Sequence, residues 1–236
     1  MRKSLSYIII ISLFLSINLF SQEETSSTQS EQPQQTEVEK QPVQESPKPQ
    51  TQPQVETQPR TQTGGGFSEN RLLDMIEKNP KNPEPYFTLI RYYTTKEMRK
   101  ERLKIAIKYI QNIGGNSYMY QIIGDENRLA GEYSKALVSY QYALRLSPNN
   151  AALYNRIGLV LLKLENFNQA EAAFKAAIYF GANDNNMNKA AYYNNLGVSY
   201  EAMGDIENAI KHFKVAVKLY PTYQTALDNL KRLENR

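Results

Sequence analysis

From residue 67 onward this sequence predicts an all-α array of antiparallel helix pairs, an α-solenoid. Three observations predict it. Glycines recur in register, with Gly158 following Gly124 by 34 positions and Gly197 following Gly158 by 39. Apolar residues around them fall three and four apart, the spacing of one helix face. Gly and Pro punctuate the apolar stretches at turn intervals. Modules of this period bury their apolar faces only by stacking on neighbours.

Residue usage divides the 236-residue chain into three zones. Arg2 and Lys3 precede an uncharged, largely apolar run over residues 4–21, broken by Ser12, Ser16 and Asn18. That is the layout of a secretory leader. It falls short of the about 20 apolar residues that span a bilayer. Residues 1–21 are therefore expected to be a signal peptide cut after Ser21, with the mature chain exported to the periplasm or held in the cell envelope. Membrane attachment is expected only if this segment stays uncleaved. Residues 22–66 are rich in Gln, Pro and Glu, with six prolines and almost nothing apolar. Such a segment cannot offset its ordering entropy by burial, so it is read as a disordered linker that sets reach.

The remaining residues, 67–236, carry 23 basic and 17 acidic side chains, an excess concentrated between Arg91 and Lys108. So mild an excess reads as a solvated face, and export further disfavours nucleic acid. The chain has no Cys, which excludes disulfides, thiolate metal sites and a lipid-modified N-terminal cysteine.

The elements follow in order. Ser68 and its neighbours offer capping side chains to a first helix, and Leu72, Leu73 and Ile76 share one of its faces. This cap helix is placed at 69–79. Pro80, Pro83 and Pro85 end it and begin the next. A first repeat over 83–116 is degenerate, with Ile90 at the position where later repeats have Gly. Its second helix, about Glu97–Gln111, keeps the stripe Leu103, Ala106, Ile107 and Ile110. Repeats over 117–150 and 151–184 follow each other at a spacing of 34, with Asn127 in the former where the fourth repeat has Tyr200 and Ala182 in the latter in place of the closing Pro148. In the latter Glu165 replaces the turn glycine, and Asn166 is expected to take the left-handed conformation. Five extra residues fall in 181–189 before a fourth repeat at 190–223. They read as an extended helix start, since the spacing of Asp184 and its Asn neighbours does not suit a calcium loop. The segment 222–235 reads as a solvating cap helix.

The best copy of the unit is Ala190–Pro221, AAYYNNLGVSYEAMGDIENAIKHFKVAVKLYP. Tyr193, Leu196, Gly197, Tyr200, Ala209, Phe213 and Pro221 resemble the tetratricopeptide repeat signature of an aromatic, Leu-Gly, Tyr, a small residue, an aromatic and a closing Pro. The chain thus resembles an exported bacterial tetratricopeptide repeat protein, which implies a right-handed superhelix. Small residues let paired helices approach, and Tyr140, Phe174 and Phe213 are expected to pack against the next repeat.

The resemblance also implies a concave groove lined by first helices that binds a peptide or helix. Its matching positions are Gln121, Asp125 and Arg128 in the second repeat. Those of the third are Asn155, Leu159, Leu162 and Lys163, and those of the fourth Asn194, Val198 and Glu201. Gln121 and Asn155 stand where carboxylate-gripping members place Lys, so C-terminal carboxylates are not the expected ligand. The reading is a non-catalytic scaffold for an envelope protein. A carrier is the alternative, with Leu159, Leu162 and Val198 admitting a small apolar ligand or lipid. No cofactor or metal is expected. His212, the sole histidine, lacks nucleophile partners and is expected to be solvated.

Overall fold

A computed structural model describes residues 68–235. The expected leader and linker lie outside the described residues. The described residues form ten helices and no strand. They are α1 (Glu69–Lys78), α2 (Glu84–Thr95), α3 (Arg99–Asn112), α4 (Ser117–Leu129) and α5 (Tyr133–Leu146). Then come α6 (Ala151–Lys163), α7 (Phe167–Phe180), α8 (Asn186–Ala202), α9 (Ile206–Leu219) and α10 (Gln224–Glu234). Consecutive helices pack on one another along the chain, with α2–α3, α4–α5, α6–α7 and α8–α9 as pairs and α1 and α10 at the ends. This is the expected solenoid.

The helices α4, α6 and α8 each start on a side-chain cap. Asn116, Asn150 and Asn185 accept hydrogen bonds from the backbone N–H of Met119, Leu153 and Asn188 at 3.1, 3.2 and 2.9 Å. An uncapped helix start leaves such N–H groups without partners. The five extra residues lengthen α8 at its start to 17 residues, against 13 for α4 and α6. Asp184, in the turn before it, accepts the Tyr192 hydroxyl at 2.7 Å.

Every pair turns on three residues whose middle member is left-handed. These are Glu97, Gly131, Glu165 and Gly204, at φ of 55°, 82°, 60° and 81°. The following N–H reaches back five residues, as in Met98 to Tyr93 O and Asn166 to Leu161 O, both 2.9 Å. That is the Schellman closure of a helix C-terminus. Glu165 therefore takes the strain itself, and Asn166 sits at φ −85° as the residue before α7, contrary to expectation. The degenerate first repeat keeps the same turn through Glu97.

Close approach within a pair is set by glycine against an aromatic ring. A Cβ on Gly124, Gly158 or Gly197 would lie 2.5, 2.5 or 2.6 Å from the ring of Tyr140, Phe174 or Phe213. Those rings are fully buried. Each thus packs against the glycine of its own repeat in addition to the neighbour expected from the sequence. Tyr140 and Phe174 also join one apolar cluster with Leu153, Ile157, Tyr192 and Leu196, so the core runs across repeat boundaries. A second cluster holds Ile76, Tyr86, Leu89, Ile105, Met119 and Ile122, joining α1–α3 to α4.

Candidate partner-binding groove

The first helices α4, α6, α8 and α10 lie side by side, and side chains bridge them directly. Asp125 on α4 accepts from the Arg156 Nε of α6 at 3.2 Å and from the Tyr140 hydroxyl at 2.6 Å. Asn195 of α8 donates to Asn155 of α6 at 2.8 Å. Asn229 of α10 donates to Asn194 of α8 at 3.0 Å, and Arg232 grips Glu201 through two hydrogen bonds. These polar steps hold one helix of the inner face against the next.

Expected groove residues therefore separate into two groups. Asp125, Asn155, Asn194 and Glu201 are committed to neighbouring helices. Asn194 is only 3% exposed, which corrects its placement among residues facing a ligand: α10 covers it. The face between these bridges is formed by Gln121, Arg128, Leu159, Leu162 and Val198, all half-buried, and by exposed Lys163. The Gln121 amide reaches only its own helix, donating to Ser117 Oγ at 3.4 Å. Arg128 Nε is buried with no hydrogen-bond partner. Burial, reinforced by Asp125 and opposed by Arg128, raises the Tyr140 hydroxyl well above the usual phenol range, so it stays a donor.

Sequence reasoning missed the bridging partners Arg156, Asn195, Asn229 and Arg232. One signal was present: Arg156 and Asn195 each stand two positions before the repeat glycine. It marks a polar residue at the seam between first helices.

His212 also departs from expectation. It is half-buried on α9, its Nδ1 is enclosed without a partner, and its ring stacks on Tyr200 at 5.2 Å and Tyr193 at 6.0 Å. Burial lowers its pKa, and the Lys211 and Lys175 charges add to the shift. Next to it Tyr200 donates to Glu171 at 2.7 Å. Burial opposes ionisation of Glu171, but hydrogen bonds from Lys175 and Tyr200 prevail and hold its carboxyl below the usual range.

Between α3 and α4 lies a cavity of about 520 Å³ lined by Arg99, Lys100, Glu101, Leu103, Glu126 and Ala130, among others. Glu126 is 4% exposed and paired with both Arg99 and Arg102. That pairing lies on other residues than Leu159, Leu162 and Val198. Among the described residues no group of three or more His, Cys, Asp or Glu could hold a metal ion. No helix among them is long and apolar enough to cross a membrane.

Known proteins align with this architecture. A tetratricopeptide repeat family model matches residues 149–222, and a second TPR repeat model matches residues 124–165. Anaphase-promoting complex subunit 3 of Schizosaccharomyces pombe is 26% identical over 146 residues, 62% of this chain. The match spans about a fifth (21%) of that relative's length. Among solved structures, BtubC from P. vanneervenii superposes with a TM-score of 0.58 at 17% identity, over 71% of this chain and 79% of its own. MamA does so with a TM-score of 0.57 at 22% identity, over 64% of this chain and 85% of its own. At these identities the superpositions show the shared fold. Helix pairs, glycine–aromatic contacts and both repeat matches agree that the chain carries tetratricopeptide repeats across residues 124–222.

Proposed function

We propose that the protein is an exported, non-catalytic scaffold of the cell envelope, holding a peptide or helix of a partner protein in the groove of α4, α6 and α8. One observation carries this reading. The bridges between first helices consume Asp125, Asn155, Asn194 and Glu201, and leave an apolar centre of Leu159, Leu162 and Val198 flanked by Arg128 and Lys163. An apolar centre with polar flanks suits an amphipathic segment, which buries side chains there and directs its polar face outward. Export rests on the charged-then-apolar start of the sequence, and partner binding on the repeats themselves.

A photocrosslinking residue at Leu159, expressed in intact cells, tests this. One protein adduct is expected at Leu159 and none at Lys104, which is exposed on α3. A lipid or small-molecule adduct at Leu159 would replace the scaffold with the carrier. Labelling that does not differ between the two positions would remove the groove as the site.

A further inference from the structure

The array has a second surface, distinct from the groove, along the edge where α3, α5, α7 and α9 end and α2, α4, α6 and α8 begin. Short turns between antiparallel neighbours place these ends together. Large apolar side chains collect there. Tyr118, in the first turn of α4, is 49% exposed, and Phe87, in the first turn of α2, is 39% exposed. Tyr142 and Leu146 near the end of α5 are 46% and 51% exposed, and Tyr179 at the end of α7 is 56% exposed.

The rings are braced by their neighbours. Phe87 stacks on Tyr118 at 6.4 Å and 17°, and Tyr120 stacks on Tyr142 at 5.2 Å and 19°. Cations share these helix ends, alongside the carboxylates of Glu84 and Asp184. Arg145 lies 6.0 Å over the Tyr142 ring, and Lys81, Lys108, Lys189 and Lys218 stand at the same helix ends. None of these five makes an ion pair among the described residues.

Fixed aromatic faces spaced along a surface are how extended proline-rich chains are bound, because such chains lose little entropy on docking. Unpaired cations beside the rings call for carboxylates on the same chain. We propose that residues 22–66 of this chain dock along this edge in cis. They hold six prolines, and their seven acidic and three basic residues give a net −4, facing a net +6 on residues 67–236. Pro47, Pro49 and Pro53 lie between Glu45 and Glu56, so both required groups occur in one short stretch.

Reach is sufficient. Residue 66 stands three positions before α1 begins at Glu69. An extended segment of 45 residues covers on the order of 140 Å at about 3.1 Å per residue. Helix axes pack about 8–10 Å apart, so the edge from α2 to α9 is shorter than about 80 Å. Tethering also gives the segment an effective concentration in the millimolar range, so individually weak contacts suffice.

The chain has no Cys, so Ser46→Cys in the full chain takes a single nitroxide label. At low salt the label is expected to broaden the backbone amide signals of Phe87 and Arg145. About 1 M salt should weaken the effect at least about twofold, because it cuts the screening length to about 3 Å. The Tyr118→Ser/Tyr142→Ser variant should weaken it similarly, with its circular dichroism unchanged. A mixture of labelled and isotope-enriched chains should show no broadening, which identifies docking within one chain. Absence of broadening at the edge overturns the proposal, as does broadening confined to Leu159 and Val198. Anionic phosphatidylglycerol vesicles that protect the edge while the label has no effect would assign the edge to a membrane surface instead.

Discussion

A single atom separates a pairing glycine from a clash. With an added Cβ 2.6 Å from Phe213, Gly197→Leu must move a fully buried ring. Overpacking of that kind costs about 1–3 kcal/mol, read as a lower urea midpoint with an unchanged slope. An unchanged midpoint would remove the glycine–aromatic contact as the origin of close helix approach. The turn residues predict the opposite sign. Glu165 occupies φ 60°, where a side chain costs about 1–2 kcal/mol, so Glu165→Gly should stabilise by about 0.5–1 kcal/mol after glycine's larger entropy loss. Calorimetry should show a higher Tm, while Gly204→Glu should lower it. His212 introduces a pH dependence. Burial and the charges of Lys211 and Lys175 depress its pKa in the folded state, against the pull of Glu171 and Asp205. The unfolded chain therefore binds the proton more readily, and stability rises with pH. It is complete above the unfolded value of about 6.5 and declines as pH falls through it toward the folded value. As the sole histidine, His212 accounts for the side-chain titration in this window. A His212→Gln variant should flatten Tm between about pH 7.5 and 5.5. A persisting slope would assign the proton elsewhere.

Helices joined by charged side chains divide into strong and weak joints according to which partner is buried. At the α3–α4 joint Glu126 has a side chain 3% exposed, while those of Arg99 and Arg102 are 46% and 21% exposed. Removing the carboxylate by Glu126→Gln frees two arginines that can turn to water. Removing both arginines strands the carboxylate in the interior, which costs about 3–5 kcal/mol. The Arg99→Gln/Arg102→Gln variant should therefore lose more stability in urea than Glu126→Gln, and the reverse order would refute this assignment. The α8–α10 joint follows the same logic. Asn229→Ala leaves the buried Asn194 without its donor, at about 1–3 kcal/mol. The Arg232–Glu201 pair is more solvated, and Arg232→Ala should cost under about 1 kcal/mol. These joints explain what could be read from the residues and what could not. Glycine, alanine and aromatic positions repeat at the module period because each meets its counterpart within the pair, so order along the chain reveals them. Asn194 with Asn229 and Glu201 with Arg232 are separated by 35 and 31 residues, as Asn155 with Asn195 and Asp125 with Arg156 are by 40 and 31, so each joins two modules and does not show within one. A position in the repeat says which way Asn194 points, but not that α10 already covers it. The same limit applies to His212, whose enclosure depends on Tyr193 and Tyr200 of the adjacent helix.

For the molecule as a whole, stability follows from stacking in one dimension, where interior modules have two neighbours and end modules have one. The largest apolar cluster spans α5–α7 and reaches α8 through Tyr192 and Leu196. The C-terminal end is held by two smaller clusters, one around Ala190, Ala216 and Ala226 and one around Ala209, Phe213 and Leu233. At the N-terminal end α1 contributes a single buried residue, Ile76, and α10 contributes only Ala226 and Leu233. Local opening should therefore begin at both ends and reach α6–α7 last, because opening free energy tracks buried apolar contact. Amide hydrogen exchange is expected to show the strongest protection at Ile157 and Phe174, intermediate protection in α3 and α9, and the weakest in α1 and α10. The Arg99→Gln/Arg102→Gln variant adds a directional test. Cutting the α3–α4 joint should accelerate exchange throughout α1–α3 while leaving α6–α9 near its original rate, because coupling passes only through neighbours. If exchange instead accelerated equally in every helix, the chain would unfold as one cooperative unit and the modular account of its stability would fail.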